Sequence, residues 1–129
     1  MRAKILVVDD QAEVRMLVRM TLELGDYAIL EADTGLRALE LIELERPQVV
    51  VLDIMMPGDF DGYGVCREIR SRPEHASTFV CLLTARGQQA DIEQGKEAGA
   101  DAYLIKPFSP AELISLVEKA TAGREVAKG

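Results

Sequence analysis

KILVVDD, at residues 4–10, is an apolar run that stops abruptly at two aspartates. Its four consecutive aliphatic residues, with no polar alternation, are typical of a strand that is covered on both faces of a parallel sheet. Similar short runs, separated by amphipathic stretches, recur along the chain. Together the runs lie at residues 4–8, 28–31, 49–52, 79–83 and 102–105. This alternation predicts an α/β fold: a doubly wound sheet of five parallel strands and five helices, in a three-layer sandwich.

Helix signals fill the stretches between the runs. Helices are predicted at residues 11–24, from residue 34 to before Pro47, at residues 63–70 and 88–98, and from residue 109 onward. Thr34 can cap the second helix, and Ser109 forms a capping box with Glu112 at the start of the last. Gly95 costs the fourth helix about 1 kcal/mol relative to Ala, so we expect that helix to be the softest.

Length and charge limit the classes of protein. At 129 residues the chain fits one domain, which we place at residues 1–122, followed by a polar tail at 123–129 with no linker to a second domain. The net charge of −7 disfavours direct binding of nucleic acid or of an anionic membrane surface. The apolar runs are too short for a membrane span or a secretory signal. We therefore expect a cytoplasmic protein without membrane insertion.

The cysteines and the single histidine suggest no chemistry. Cys66 and Cys81 have neither a CxxC nor a metal-ligand spacing and are predicted to be buried or half-buried thiols. His75 lies in a polar stretch, and we expect a solvated loop residue whose loss is tolerated.

Polar residues follow four of the five predicted strands. Asp9 and Asp10 end the first strand, and Asp53, Thr84 and Lys106 end the third, fourth and fifth. In a parallel sheet the carboxyl ends of all strands lie at one edge, so residues far apart in sequence meet there. The sequence therefore predicts one pocket with three acids, a hydroxyl and an amine.

Three crowded carboxylates repel one another unless a cation neutralises them. With no His or Cys ligand nearby, oxygen donors favour Mg²⁺, with Mn²⁺ as the second option, and Mg²⁺ leaves positions open for a phosphate. Asp53 is the candidate nucleophile and would form an acyl phosphate, while Asp9 and Asp10 can hold the metal. Thr84 and Lys106 would stabilise the phosphoryl oxygens.

Four motifs carry a family resemblance. They are ILVVDD at residues 5–10, DIMMP at 53–57, LTA at 83–85 and KPF at 106–108. With them the sequence resembles the receiver domains of two-component response regulators, the CheY-like family, over nearly the whole chain. The resemblance implies a flavodoxin-like sheet with the strand order 2-1-3-4-5.

The resemblance also implies roles for the site residues. Asp53 would take a phosphoryl group from a histidine kinase or a histidine phosphotransfer protein, with Thr84 and Lys106 contacting its oxygens. Mg²⁺ would be bound by Asp10, Asp53 and the backbone carbonyl of Met55. Asp9 would act through a metal-bound water. No enzymatic activity is expected beyond self-phosphorylation and autodephosphorylation.

A switch is implied as well. Tyr103 matches the aromatic switch residue of the family, and the Lys106–Pro107 bond is expected to be cis. Phosphorylation would change the surface formed by the fourth helix, fifth strand and fifth helix, which would be read by a downstream protein target or an output domain. An activation-dependent dimer is left open.

Two features depart from the family pattern. The loop PGDFDG at residues 57–62 is one residue longer than usual, so we expect a bulge that leaves the position of Phe60 open. Met55 and Arg86 flank the expected path of an attacking water, and Met cannot orient that water by hydrogen bonding. Slow dephosphorylation is therefore a hypothesis.

Three other functions fit parts of the pattern. One is a protein-binding adaptor of the same fold that is never phosphorylated. Another is a Mg²⁺ phosphatase with an aspartyl nucleophile, although that class resembles Asp-x-Asp and Met55 stands two residues after Asp53. The third, a flavodoxin-like electron carrier, would need a phosphate-binding loop where Asp9 and Asp10 lie.

Overall fold

A computed structural model describes residues 2–58, 60–85 and 89–128, with the side chains of residues 85, 89–91 and 123–128 excepted. The strands are β1 (Ala3–Val8), β2 (Tyr27–Ala32), β3 (Val49–Asp53), β4 (Phe79–Ala85) and β5 (Ala102–Lys106). The helices are α1 (Ala12–Leu22), α2 (Gly35–Glu45), α3 (Gly62–Ser71), α4 (Gln89–Ala98) and α5 (Pro110–Lys128). All strand pairs are parallel and their order is 2-1-3-4-5, so the predicted flavodoxin-like sheet is confirmed.

The strands are apolar on both faces because helices cover both. Along β1, Ile5 and Val7 pack into one core and Leu6 and Val8 into the other. Side chains of α1 and α5 complete the first core, and side chains of α2, α3 and α4 complete the second. The three-layer sandwich follows from this alternation.

Local signals set the helix ends as predicted. The hydroxyl of Thr34 accepts a hydrogen bond from a backbone N–H in the first turn of α2, at 3.1 Å. At the start of α5, Ser109 and Glu112 exchange two bonds of 3.1 Å each, the reciprocal pattern of a capping box. The backbone of α5 continues past residue 122 and is helical as far as Lys128, through most of the segment predicted to be a tail.

His75 is not a solvated loop residue, and that expectation was wrong. It lies in the short 3₁₀ helix Pro73–His75, its side chain is only 2% exposed, and its Nε2 is 3.0 Å from Glu43 Oε1 on α2. The polar neighbours in the sequence describe only the local chain and indicate neither this burial nor the contact with a residue 32 positions earlier.

Arg70, near the end of α3, joins three segments at the amino ends of the strands, the edge of the sheet opposite to the acidic residues. Its guanidinium donates to the carbonyl of Gly99 after α4 at 2.7 Å and to the carbonyl of Thr78 before β4 at 2.9 Å. It also binds the carboxylate of Asp101, just before β5, at 2.6 Å. The C-terminal end of α4 is therefore held by charge-assisted hydrogen bonds.

Within the described residues, no helix combines the length and the apolarity needed to cross a membrane.

Candidate functional site

The polar ends of three strands meet at one edge of the sheet, as the sequence predicts. Lys106 Nζ lies 3.0 Å from Asp9 Oδ2 and 3.3 Å from Asp53 Oδ1, although these residues are 97 and 53 positions away in the chain. Asp10 joins them: each of the three acids offers a carboxylate oxygen, and these oxygens lie within 4.8 Å of one another. The result is a compact acidic cluster with one ammonium group.

The members of the cluster differ in burial. Asp9 is fully buried and Asp53 is 5% exposed, whereas Asp10 is exposed to solvent. The Asp9 carboxylate accepts a hydrogen bond from the backbone N–H of Gln11 at 2.9 Å, and Arg15 donates to the Asp9 backbone carbonyl at 2.7 Å. These bonds fix Asp9 between the end of β1 and the start of α1, and the cluster thus combines two buried acids with one that faces the solvent.

A cleft of about 300 Å³ opens beside the cluster. Its lining residues are Asp10, Gln11, Asp53, Ile54, Met55, Leu83 and Lys106. The Met55 side chain is 75% exposed at its mouth, and the Met55 backbone forms a hydrogen bond to the Asp53 carboxylate. Asp53 is therefore reachable from solvent through this cleft, although most of its surface is buried.

Thr84 lies at the same edge. In the pairing of β3 with β4, Asp53 is opposite Leu83, so Thr84 is the next residue along the neighbouring strand. Its side chain is 2% exposed. Residues 86–88 lie outside the described part of the chain, so the predicted role of Arg86 stays a prediction.

The surroundings of Asp53 favour the protonated form of its carboxyl group. Burial and, next, the negative charge of Asp9 raise its pKa to about 6, although Lys106 and the Met55 backbone act in the opposite direction. Burial alone would lower the pKa of Lys106, but its hydrogen bond to Asp9 and the charge of Asp53 outweigh that effect and raise the pKa. Lys106 therefore remains an ammonium and neutralises only part of the acidic charge.

The donor set fits a hard divalent cation. Among the described side chains three carboxylates face one ammonium, so this cluster, fully ionised, lacks two positive charges. The donors it offers are oxygens, which suit Mg²⁺ better than a softer metal, and the exposed Asp10 and the cleft leave space for ligands from solvent.

Gly62, the first residue of α3, packs directly against the backbone beside Asp53, and the sequence reasoning missed it. A Cβ atom at this position would lie 2.5 Å from the backbone oxygen of Asp53 and 2.7 Å from the Cα of Ile54. Only glycine lets α3 begin this close to the end of β3. The Asp-Gly pair before the helix was the available signal, because Asp61 caps α3 and the glycine follows it.

Two other expectations concern residues outside the cleft. The ring of Tyr103 does not line it but lies against α4, next to Gly95. Phe60, in the long loop, packs against the core on the α2 and α3 side, and its backbone oxygen would be 2.6 Å from a Cβ at Gly35. The Lys106–Pro107 bond is cis, as expected.

The chain is similar to known proteins over most of its length. Residues 5–118 match the family model described as the response regulator receiver domain. The transcriptional regulatory protein ResD of Bacillus subtilis is 48% identical over 115 residues, which make up 89% of this chain and 46% of that protein. The chain spans about half the length of the curated relatives it matches.

Solved structures agree. The chemotaxis response regulator CheY4 of Vibrio cholerae is similar with a TM-score of 0.85 and 29% identity, over 93% of this chain and 99% of that one. The BeF3-activated DrrB receiver domain is similar with a TM-score of 0.82 and 38% identity, over 95% of this chain and 99% of that one.

Proposed function

The chain belongs to the response regulator receiver domain family of two-component systems, and from this premise we propose that Asp53 accepts a phosphoryl group from a phosphohistidine donor. The observation that carries the proposal is the position of Lys106, whose ammonium lies within 3.3 Å of both Asp9 and Asp53. A cation held beside a nearly buried carboxylate suits the binding of a phosphoryl group at that carboxylate.

In the transfer step, an oxygen of the Asp53 carboxylate attacks the phosphorus of the donor. A new P–O bond forms while the P–N bond to the donor imidazole breaks, and the bonding electron pair leaves with that nitrogen, which takes up a proton. The product is an acyl phosphate on Asp53. Its later hydrolysis by water returns the carboxylate and inorganic phosphate. The proposal includes no enzymatic activity toward other substrates.

The chain's own residues would place the reacting groups. Lys106 already points at Asp53 and would donate to a phosphoryl oxygen, and Thr84 would donate its hydroxyl from the neighbouring strand. Asp10, Asp53 and the carbonyl of Met55 would hold Mg²⁺, with Asp9 acting through a bound water. When bound, the ion supplies positive charge that lowers the repulsion between the acids and the phosphate.

The signal would leave the site through β4 and β5. A phosphoryl group adds nearly two negative charges beside Thr84 and Lys106, which lie at the carboxyl ends of these strands. We propose that this changes the surface of α4, β5 and α5, with Tyr103 as the switch residue. That surface would bind a downstream protein or an output domain, with or without dimer formation.

The donor would be a histidine kinase or a histidine phosphotransfer protein in the cytoplasm. Since ResD is a transcriptional regulatory protein about twice as long as the matched region, the activity of the whole protein, including any contact with nucleic acid, is likewise a proposal. Manganese could replace magnesium because the donor set is the same.

Labelling with a small phosphodonor tests the proposal. The protein is incubated with Mg²⁺ and radiolabelled acetyl phosphate, and the acid-stable, hydroxylamine-sensitive label is counted in the wild type and in Asp53→Asn. We expect labelling of the wild type and none of the variant, because an amide is not a nucleophile of this kind. Asp33→Asn, an exposed acid outside the cluster, is the control and should label normally.

Two outcomes would contradict the proposal. A wild type that takes up no label from acetyl phosphate or from a phosphorylated kinase would indicate an adaptor that works without phosphorylation. Continuous release of phosphate from phosphomonoesters would instead indicate a phosphatase.

A further inference from the structure

Gly95 in α4 lies where any larger residue would collide with its neighbours. A Cβ atom added there would be 2.8 Å from Tyr103 Cε1 and 2.7 Å from Leu82 Cδ1. Carbon atoms in protein interiors are not packed this closely, since optimal contact is about 3.5–4.0 Å. A buried glycine in a helix also costs stability, so its presence here calls for a packing reason.

The two neighbours differ in their freedom to move. Leu82 is fully buried in β4, which lies between β3 and β5. Tyr103 is on β5, which is an edge strand, and its side chain is half-buried. A rotation of the Tyr103 ring toward solvent is therefore the easier response to added bulk at Gly95.

The hydroxyl of Tyr103 favours the same response. In the inward position of the ring this oxygen is buried and has no hydrogen-bond partner within the described part of the chain. A buried polar group without a partner is costly, and outward rotation would return it to water. Packing against Leu82 and the backbone of α4 thus holds the ring inward at the expense of its hydroxyl.

We propose that Gly95 is a positioning residue for Tyr103: it creates the space that allows the ring to lie inward under α4, and it thereby sets the balance between the inward and outward positions. The structural part of this proposal, that Gly95 makes room for the ring, concerns only Gly95 and its neighbours. The regulatory part, that this balance affects Asp53, rests on the proposed function.

Fluorine NMR tests the structural part. The protein contains three tyrosines, so 3-fluorotyrosine labelling gives one signal from each, and the signal missing in Tyr103→Phe identifies the residue. In Gly95→Ala we expect the Tyr103 signal to gain the H₂O-to-D₂O shift of a solvated ring while the signals of Tyr27 and Tyr63 stay unchanged. An unchanged Tyr103 signal would overturn the proposal.

A double-mutant cycle tests the same contact by stability. In the presence of the ring, Gly95→Ala should lower the ratio of folded to unfolded protein. In a Tyr103→Ala background the clash with the ring is absent while the one with Leu82 remains, so the same substitution should lower that ratio severalfold less. Equal effects in both backgrounds would show that the ring is not involved. This arm remains informative if Gly95→Ala alone does not fold.

The regulatory part has a separate readout. If the ring position and the occupancy of Asp53 are coupled, each must change the other by the same factor. Gly95→Ala should then shift the half-saturation by beryllofluoride, in the presence of Mg²⁺, severalfold, and should leave it unchanged in a Tyr103→Ala background. A moved ring without this shift would uphold the positioning role and refute Tyr103 as the switch. Failure of the wild type to bind beryllofluoride would instead tell against the proposed function.

Discussion

Replacing Asp53 by Asn should make the metal-free protein more stable at neutral pH, although it removes an ion pair. The carboxylate is almost fully buried beside Asp9, and its pKa is raised from 3.8 to about 6 despite the nearby Lys106. The folded state therefore holds a proton that the unfolded state has lost at every pH between these two values. Under the linkage relation, stability falls as the pH rises through this window and stays low above it.

The magnitude follows from the size of the shift. A difference of about two pKa units corresponds to about 3 kcal/mol of unfavourable interaction when Asp53 is charged. An amide in its place carries no charge but loses the bond to Lys106, so we expect Asp53→Asn to gain about 1–3 kcal/mol at pH 7.5. Near pH 4 the gain should fall toward zero, because Asp53 is then protonated in the folded wild type.

Urea unfolding in EDTA, followed by far-UV circular dichroism because the chain has no tryptophan, measures this difference. Asp33→Asn is the matched control and should show little change at either pH, since Asp33 is exposed. Added Mg²⁺ should stabilise the wild type more than Asp53→Asn, which has lost a ligand. Destabilisation by Asp53→Asn at pH 7.5, or an equal effect at both pH values, would refute the reasoning.

Three further substitutions test other parts of the molecule. Gly62→Ala should destabilise the protein by about 1–3 kcal/mol and slow its labelling by acetyl phosphate, because backbone atoms occupy the space of the new Cβ. The control is Gly64→Ala, where the nearest contact of the new Cβ is a side-chain atom at 3.2 Å. Equal unfolding midpoints of the two variants would count against this packing. His75→Ala should lower the urea midpoint by the equivalent of about 1–3 kcal/mol, because it leaves a buried void and removes the bond to Glu43. An unchanged midpoint would indicate that His75 is exposed to solvent. Met55→Asn should shorten the lifetime of the label on Asp53 severalfold by orienting the attacking water, and an unchanged lifetime in pulse-chase measurements would reject slow dephosphorylation through Met55.

The sheet and the acidic cluster could be predicted because both depend on order along the chain. Apolar runs mark strands, and parallel pairing brings the residues that follow them to one edge, whatever their separation in sequence. Asp53 and Lys106 were therefore found without knowledge of a contact between them. Capping was equally predictable at Thr34 and Ser109, since their partners lie three residues away.

The residues that were missed or misread depend on contacts between distant segments. His75 looked solvated because its neighbours in sequence are polar, but in the fold it is buried and bonded to Glu43. Gly95 looked like a weak point in α4, and the positions of Leu82 and Tyr103 explain the glycine. To predict the role of Gly62 would have required knowledge that α3 begins against the backbone of β3. Such distances cannot be read from hydrophobic periodicity, which reports the direction of a side chain but not what it meets.

The three bonds of Arg70 limit how α4 can move. Because two of them tie Gly99 and Asp101, which follow the helix, to α3, sliding of α4 along its axis would break them, whereas a tilt about its C-terminal end would not. A rearrangement that starts at the acidic edge would then reach the solvent as a rotation. Displacement would be greatest at the first turn of α4 and smallest beside Arg70. A binding partner would therefore respond to a change in the orientation of α4 and not to a translation of the whole helix.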